Sequence, residues 1–263
     1  MPDKLSFTIY QIDAFARNVF EGNPAAVIPL DEWLDDALMQ RIAMENNLSE
    51  TAFFIPEGKK WQIRWFTPTA EVDMCGHATL ASAYVLFECL DYPKEEVVFA
   101  SRSGDLHVRR EDEWYVMDFP VQPIEPCELP CEIAEAFVAV PVECYCSMDY
   151  LLVFENESDI IYAEPVLEKL RNIDARGVII TAKSSRYDFV CRFFAPKYGI
   201  DEDPVTGSAF TQLIPYWNRT TGKEHFSAKQ ISKRGGEVLC TLQGERVEIA
   251  GYAVKFLEGK IVI

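Results

Sequence analysis

Three short stretches of the sequence carry side chains suited to moving a proton beside a bound anion. The first is Cys75-Gly76-His77-Ala78-Thr79. A glycine just before a helix lets a ligand approach the backbone, and the unpaired N–H groups of a first helical turn favour an anion there. His77 titrates near neutrality and could shuttle a proton beside that anion. The second is Asp201-Glu202-Asp203-Pro204-Val205-Thr206-Gly207-Ser208-Ala209. Asp203 fits an N-cap and Pro204 a first helical turn. Gly207 and Ser208 are weak helix formers where an ordinary helix prefers Ala or Leu, so their smallness points to a ligand. The third is Glu50, in Asn47-Leu48-Ser49-Glu50-Thr51, at the entry to the apolar stretch TAFFI. A carboxylate entering a buried strand is desolvated, which moves its pKa toward the range of a general acid or base. Each stretch also has a plain structural reading: a turn glycine with a capping histidine, a capped acidic helix, and a polar loop residue.

Strands and helices must position these groups. Period-two and β-branched patterns predict strands at Phe7 to Ala14, Ala25 to Pro29, Thr51 to Ile55 and Gln62 to Phe66. An amphipathic pattern predicts a helix from Asp31 to Asn46, and a helix from about His77 to Cys89 is apolar nearly all round, hence buried. After a strand at Glu113 to Phe119, the proline-rich Pro120 to Pro130 reads as a linker into a second unit. That unit has strands at Tyr150 to Phe154, Gly177 to Ala182 and Asp188 to Ala195, and a central helix beginning near Thr206. The expected division is 1–119, joined by 253–263, and 120–252.

An ungapped internal match supports two similar units. Displaced by 128 residues, RWFTPTAEVDMC (Arg64 to Cys75) lies over RFFAPKYGIDED (Arg192 to Asp203), aligning Arg64 with Arg192, Phe66 with Phe194, Pro68 with Pro196 and Asp73 with Asp201. Both copies run from a charged and aromatic strand through a proline loop into a small-residue helix start. A pseudo-twofold would turn both starts toward a shared cleft.

Composition excludes several function classes. The chain has 263 residues, about half of them hydrophobic, with 17 Phe, 11 Tyr and 5 Trp, enough for a well-buried core. A formal net charge of −17 argues against nucleic acid and against an anionic membrane surface. A small acid can still be held by local backbone N–H groups. No basic and apolar leader and no span of about 20 apolar residues is visible, so the expectation is a cytoplasmic protein whose eight cysteines are free thiols. Cys127-x3-Cys131 and Cys144-x-Cys146 lack the spacing of a zinc site, and no metal is expected.

The stretches NPAAVIPL, NLSETAFF, IRWFTPTAEVDMCGHATLASAY and GIDEDPVTGSAF followed by IPYW resemble the PhzF family, in order and spacing across essentially the whole chain. The resemblance implies the α+β diaminopimelate epimerase-like fold, two related lobes each with a curved, mostly antiparallel sheet around a central helix, and a site between them. It implies no cofactor, a small carboxylic-acid substrate and a homodimer. Glu50 resembles the family's acid/base glutamate; His77, Asp203 and Ser208 resemble its other catalytic positions. Ser49, Gly76, Thr79, Thr206 and Gly207 would bind substrate.

Epimerases of this fold use one cysteine from each half, and here Cys75 could fill the first place while DEDPVTGSA supplies no second thiol. The function expected is therefore a phenazine biosynthesis-like isomerase that relocates a proton by Glu50 acid-base catalysis. The alternatives are a non-catalytic small-acid-binding protein, and an amino-acid epimerase or racemase using Glu50 and Cys75.

Overall fold

In the computed structural model, which describes residues 5–263, the alternating stretch SFTIYQIDA forms β1 (Ser6–Ala14). It pairs antiparallel with β2 (Asn23–Pro29) on one side and with the C-terminal strand Ala253–Val262 on the other. After helix α1 (Asp36–Asn46) comes β3 (Glu50–Glu57), parallel to β2 and antiparallel to β4 (Lys60–Phe66). The short β5 (Glu71–Val72) leads into helix α2 (Gly76–Tyr84). Strand β6 (Glu96–Ser101) lies parallel to β4 and is followed by the antiparallel β7 (Gly104–Glu111) and β8 (Trp114–Pro120).

Two helix boundaries differ from expectation. Helix α1 begins at Asp36 rather than Asp31, because the Asp35 carboxylate accepts the Ala37 N–H at 3.0 Å and caps the helix there. Helix α2 stops at Tyr84 rather than Cys89; from Val85 to Cys89 the chain widens into a π turn, with the Leu90 N–H donating to the Val85 carbonyl at 3.0 Å. Every residue from Gly76 to Ala83 is buried, and α2 packs against β1, β2, β3 and the C-terminal strand. Its Ala, Thr and Ser side chains allow that close approach. The hydroxyls of Thr79 and Ser82 donate to the carbonyls of Cys75 and Ala78, so neither is left unsatisfied in the core.

These elements make one unit, Met1–Asp118 with Ala250–Ile263; the other is Phe119–Ile249. The second begins with β9 (Glu125–Pro126), helix α3 (Cys131–Ala134), β10 (Glu143–Cys146) and β11 (Tyr150–Val153). Short helices α4 (Glu157–Ile161) and α5 (Leu167–Leu170) precede β12 (Val178–Lys183), which is parallel to β11 and antiparallel to β13 (Phe189–Ala195). Then come β14 (Ile200–Asp203), the central helix α6 (Phe210–Thr221), β15 (His225–Gln230), β16 (Gly236–Gln243) and β17 (Arg246–Gly251). The expected linker is no free tether: the N–H groups of Val121 and Gln122 donate to the carbonyls of Glu245 and Thr211. The second of these bonds has a local cause. Pro215 has no N–H, so the Thr211 carbonyl is released from the helix ladder and takes Gln122 at 3.1 Å instead.

The internal match is realised element by element. Arg64 grips Glu71 across β4 and β5 through Nε and Nη2, at 2.7 and 2.8 Å, and Arg192 grips Glu202 across β13 and β14 through the same two nitrogens, at 2.6 and 3.0 Å. Parallel pairing repeats as well: Trp61 opposes Phe99 in the first unit and Phe189 opposes Ala228 in the second.

Candidate functional site

In the first unit, chain order brings three reactive side chains together. Glu50 opens β3 beside Ala25, while Cys75 and Gly76 lead the chain into the buried first turn of α2, which carries His77. Glu50 is 8 % and His77 5 % exposed. His77 Nε2 lies 3.1 Å from Glu50 Oε2, an approach that is close without hydrogen-bond alignment, so both buried atoms are left without a hydrogen-bond partner among the described residues. Native interiors rarely leave such atoms unmatched away from a site of function. On the other side of the ring, Nδ1 lies 3.2 Å from Asn23 Nδ2 and 3.5 Å from Cys75 Sγ. With Asn23 donating to Nδ1, the ring proton sits on Nε2, the nitrogen that faces Glu50.

Burial alone would lower the His77 pKa, but the adjoining Cys75 and Glu50 outweigh it and hold the imidazole well above its ordinary value. Burial pushes the Cys75 thiol up to about 11, with the Glu50 charge adding to the rise. A thiol so raised stays protonated near neutrality, which leaves the Glu50 carboxylate as the neighbour that stabilises an imidazolium. Protonation at Nδ1 requires the Asn23 amide to turn its oxygen to the ring, or the Cys75 sulfur to accept.

The same three residues, Glu50, Cys75 and His77, are close enough to offer ligand atoms to one metal ion.

In the second unit, Asp203 is not the N-cap. It ends β14, as the residue before a proline is driven into extended backbone, and Pro204 lies outside the helix. The helix opens instead at Thr206, which caps a 3-10 turn, Gly207–Ala209, ahead of α6. The Thr206 hydroxyl donates to the Asp203 carboxylate, and its N–H donates to Gln230 Oε1 at 2.9 Å. Gln230 Nε2 in turn donates to the Asp203 carbonyl at 2.7 Å. Ser208 Oγ accepts from Arg176 Nη1 at 2.9 Å. Arg176 also donates through Nε to Asp149 Oδ1 at 2.9 Å and through Nη2 to Oδ2, and Gln212 Nε2 donates to the same carboxylate at 2.8 Å. Gln212 Oε1 is buried without a hydrogen-bond partner among the described residues.

The two units differ where the chemistry would be. Phe66 pairs with Thr51, and its counterpart Phe194 pairs with Val178, so Gly177 stands in the second unit where Glu50 stands in the first. A side chain there would collide: a Cβ on Gly177 would lie 2.6 Å from the Phe193 ring and 2.7 Å from the Phe194 carbonyl oxygen. The neighbouring strand carries Asp149 at the position of Ala25, but Arg176 neutralises it.

Of the residues singled out in the sequence, Glu50, Gly76 and His77 are brought together, with Ser49 half-buried beside Glu50 and Thr79 one turn into α2, its hydroxyl engaged by Cys75. Asp203, Thr206, Gly207 and Ser208 are brought together in the second unit. Sequence reading missed Asn23, Asp149, Arg176, Gln212 and Gln230. Arg176 had one usable signal, a cation immediately before the buried run GVIITA in an acidic chain.

The sequence profile of a family described as phenazine biosynthesis-like protein matches residues 12–259. An uncharacterised isomerase of Pseudomonas aeruginosa is 52 % identical over 98 % of this chain and 99 % of its own. The crystal structure of a PhzF-family protein of Enterococcus faecalis superposes with a TM-score of 0.96 at 44 % identity, covering 98 % of this chain and all of that one. A hydroxyproline epimerase from Agrobacterium vitis, at 10 % identity, shares the fold with a TM-score of 0.64 over 98 % of this chain and 93 % of its own. With two α+β units of the diaminopimelate epimerase type and a match over nearly its whole length, the chain belongs to the PhzF family of phenazine biosynthesis-like proteins.

Proposed function

We propose that the protein is an isomerase that relocates a proton on a small carboxylic acid, with Glu50 as the acid-base group. The observation that carries this reading is the buried approach of Glu50 Oε2 to His77 Nε2, two atoms with no hydrogen-bond partner of their own among the described residues. Glu50 takes the proton from an acidic carbon and returns it elsewhere on the same substrate, while His77 stabilises the charge that shifts. The N–H groups of the first turn of α2 hold a substrate carboxylate. Asp203, Thr206, Gly207 and Ser208 belong to the same reading as the groups that contact the rest of the substrate, and the working form is a cytoplasmic homodimer.

Proton transfer by one carboxylate is favoured over a two-base epimerisation by two features: the protonated Cys75, and Gly177 where a second carboxylate would stand. Simple binding of an acid needs a helix start but not a buried carboxylate against an imidazole. The test is incubation with a panel of cyclic and aromatic carboxylic acids in deuterated water, followed by NMR. A product with the same atoms, a shifted double bond and one new C–D bond supports the reading. Inversion at a carbon with no shift of unsaturation points to an epimerase, and binding without any exchange points to a carrier.

A further inference from the structure

Three of the eight cysteines gather in the second unit, far in sequence from the groups just described. Strands β9 and β10 pair antiparallel, with Pro126 opposite Tyr145 and Glu125 opposite Cys146. One step further along the same ladder sets Cys127 opposite Cys144, and the Cys127 N–H donates to the Cys144 carbonyl at 3.1 Å. Their side chains meet: Sγ to Sγ is 3.4 Å, and both residues are half-buried. Cys146, two residues from Cys144 and so on the same face of β10, also reaches the Cys127 sulfur.

We propose that Cys127 and Cys144 form a thiol-disulfide site, two cross-strand sulfurs that close to a disulfide within the native strand pairing. A disulfide needs the sulfurs at about 2.05 Å, and directly opposed strand residues already hold their Cα atoms within the range that bond tolerates. Side-chain rotation is therefore enough. Burial, with the adjoining thiols, holds the Cys127 pKa well above its ordinary value, so the reduced pair stays protonated and closes only when an oxidant is supplied.

A hydroperoxide is the co-reactant proposed, because closing the bond requires a two-electron oxidant. One sulfur attacks the peroxide oxygen, the O–O bond breaks, and a sulfenic acid and one water form. The second thiol gives up its proton and attacks the sulfenic sulfur; the S–O bond breaks, the S–S bond forms and a second water leaves. Two thiols lose two protons and two electrons, and one hydrogen peroxide becomes two waters. The closed loop carries α3, anchored in the core by Ile133, Ala136 and Phe137, and the exposed Val138, Val140 and Val142, so closure stabilises chiefly by restraining this loop in the unfolded chain.

The experiment is hydrogen peroxide treatment of the full chain, followed by peptide mapping without reductant and by urea denaturation. The expected result is a cross-linked peptide joining Cys127 to Cys144, an intact mass lower by two hydrogens, reversal by dithiothreitol, and a higher denaturation midpoint than the reduced protein. The conservative Cys144→Ser variant loses both the cross-link and the midpoint shift. Free or sulfinic Cys127 and Cys144 beside an oxidised Cys131, the exposed thiol, would overturn the proposal. So would a wild-type linkage to Cys131 or Cys146, or an oxidised midpoint below the reduced one.

Discussion

His77 Nε2 stands 3.1 Å from Glu50 Oε2, although one residue lies in the first turn of α2 and the other opens β3. The parallel pairing of β2 with β3 fixes Glu50 beside Ala25, and the burial of α2 on every side fixes the imidazole. A carboxylate and an imidazole are thus held side by side in a buried setting. That arrangement sets the expectations that follow.

Cys75 touches the imidazole, and the proposed function predicts that it is not the base. With its thiol pushed up to about 11, a Cys75→Ser variant retains proton exchange within about tenfold of wild type, measured as deuterium uptake into substrate. Loss by a factor of a thousand would assign the base to sulfur.

His77 makes stability depend on pH. Its folded-state pKa is raised, so the proton it binds favours the folded state. The contribution is fully present below the unfolded value of about 6.5 and is lost as pH rises through the folded value. Urea denaturation should show the advantage of wild type over His77→Gln largest near pH 6 and smaller at pH 9. An advantage that grows with pH would contradict the raised value.

Arg176 and Asp149 form the most buried ion pair of the second unit's cluster, with the Asp149 side chain fully enclosed and Arg176 less than a third exposed. Arg176→Met leaves that carboxylate uncompensated and should cost about 3–5 kcal/mol of stability. Adding Asp149→Asn to the same chain should recover part of the loss, measured by urea titration.

Gly22 occupies the left-handed region at φ +64°, where a Cβ would lie 2.1 Å from the Ala14 carbonyl oxygen. Gly22→Ala therefore strains the turn that delivers Asn23 to the His77 ring, and should destabilise the protein by about 1–3 kcal/mol. Thermal denaturation checks this, and a neutral result would mean that the turn has room to shift.

Much of this architecture was legible in the sequence because it is periodic or repeated. The Arg64 and Arg192 match announced two units, and the structure shows why both were kept: each arginine locks a hairpin edge by gripping Glu71 or Glu202. The all-apolar pattern after His77 announced a buried helix. Asp203 was misread as a cap because an acidic residue before a proline suits a helix start, yet the helical turn begins only after Thr206, whose hydroxyl the Asp203 carboxylate accepts. The contacts of Asn23 and Arg176 were illegible for another reason. Their partners, His77 and Asp149, lie 54 and 27 residues away, and no local pattern records a contact made only when strands pair.

The most direct measurement of the central claim is deuterium incorporation into a turned-over carboxylic acid by wild type and by Glu50→Gln, with circular dichroism confirming that both are folded. The account predicts that the variant exchanges about 10²–10⁴-fold more slowly while still binding the acid. Exchange at the wild-type rate by a folded Glu50→Gln protein would remove Glu50 from the chemistry and contradict the account.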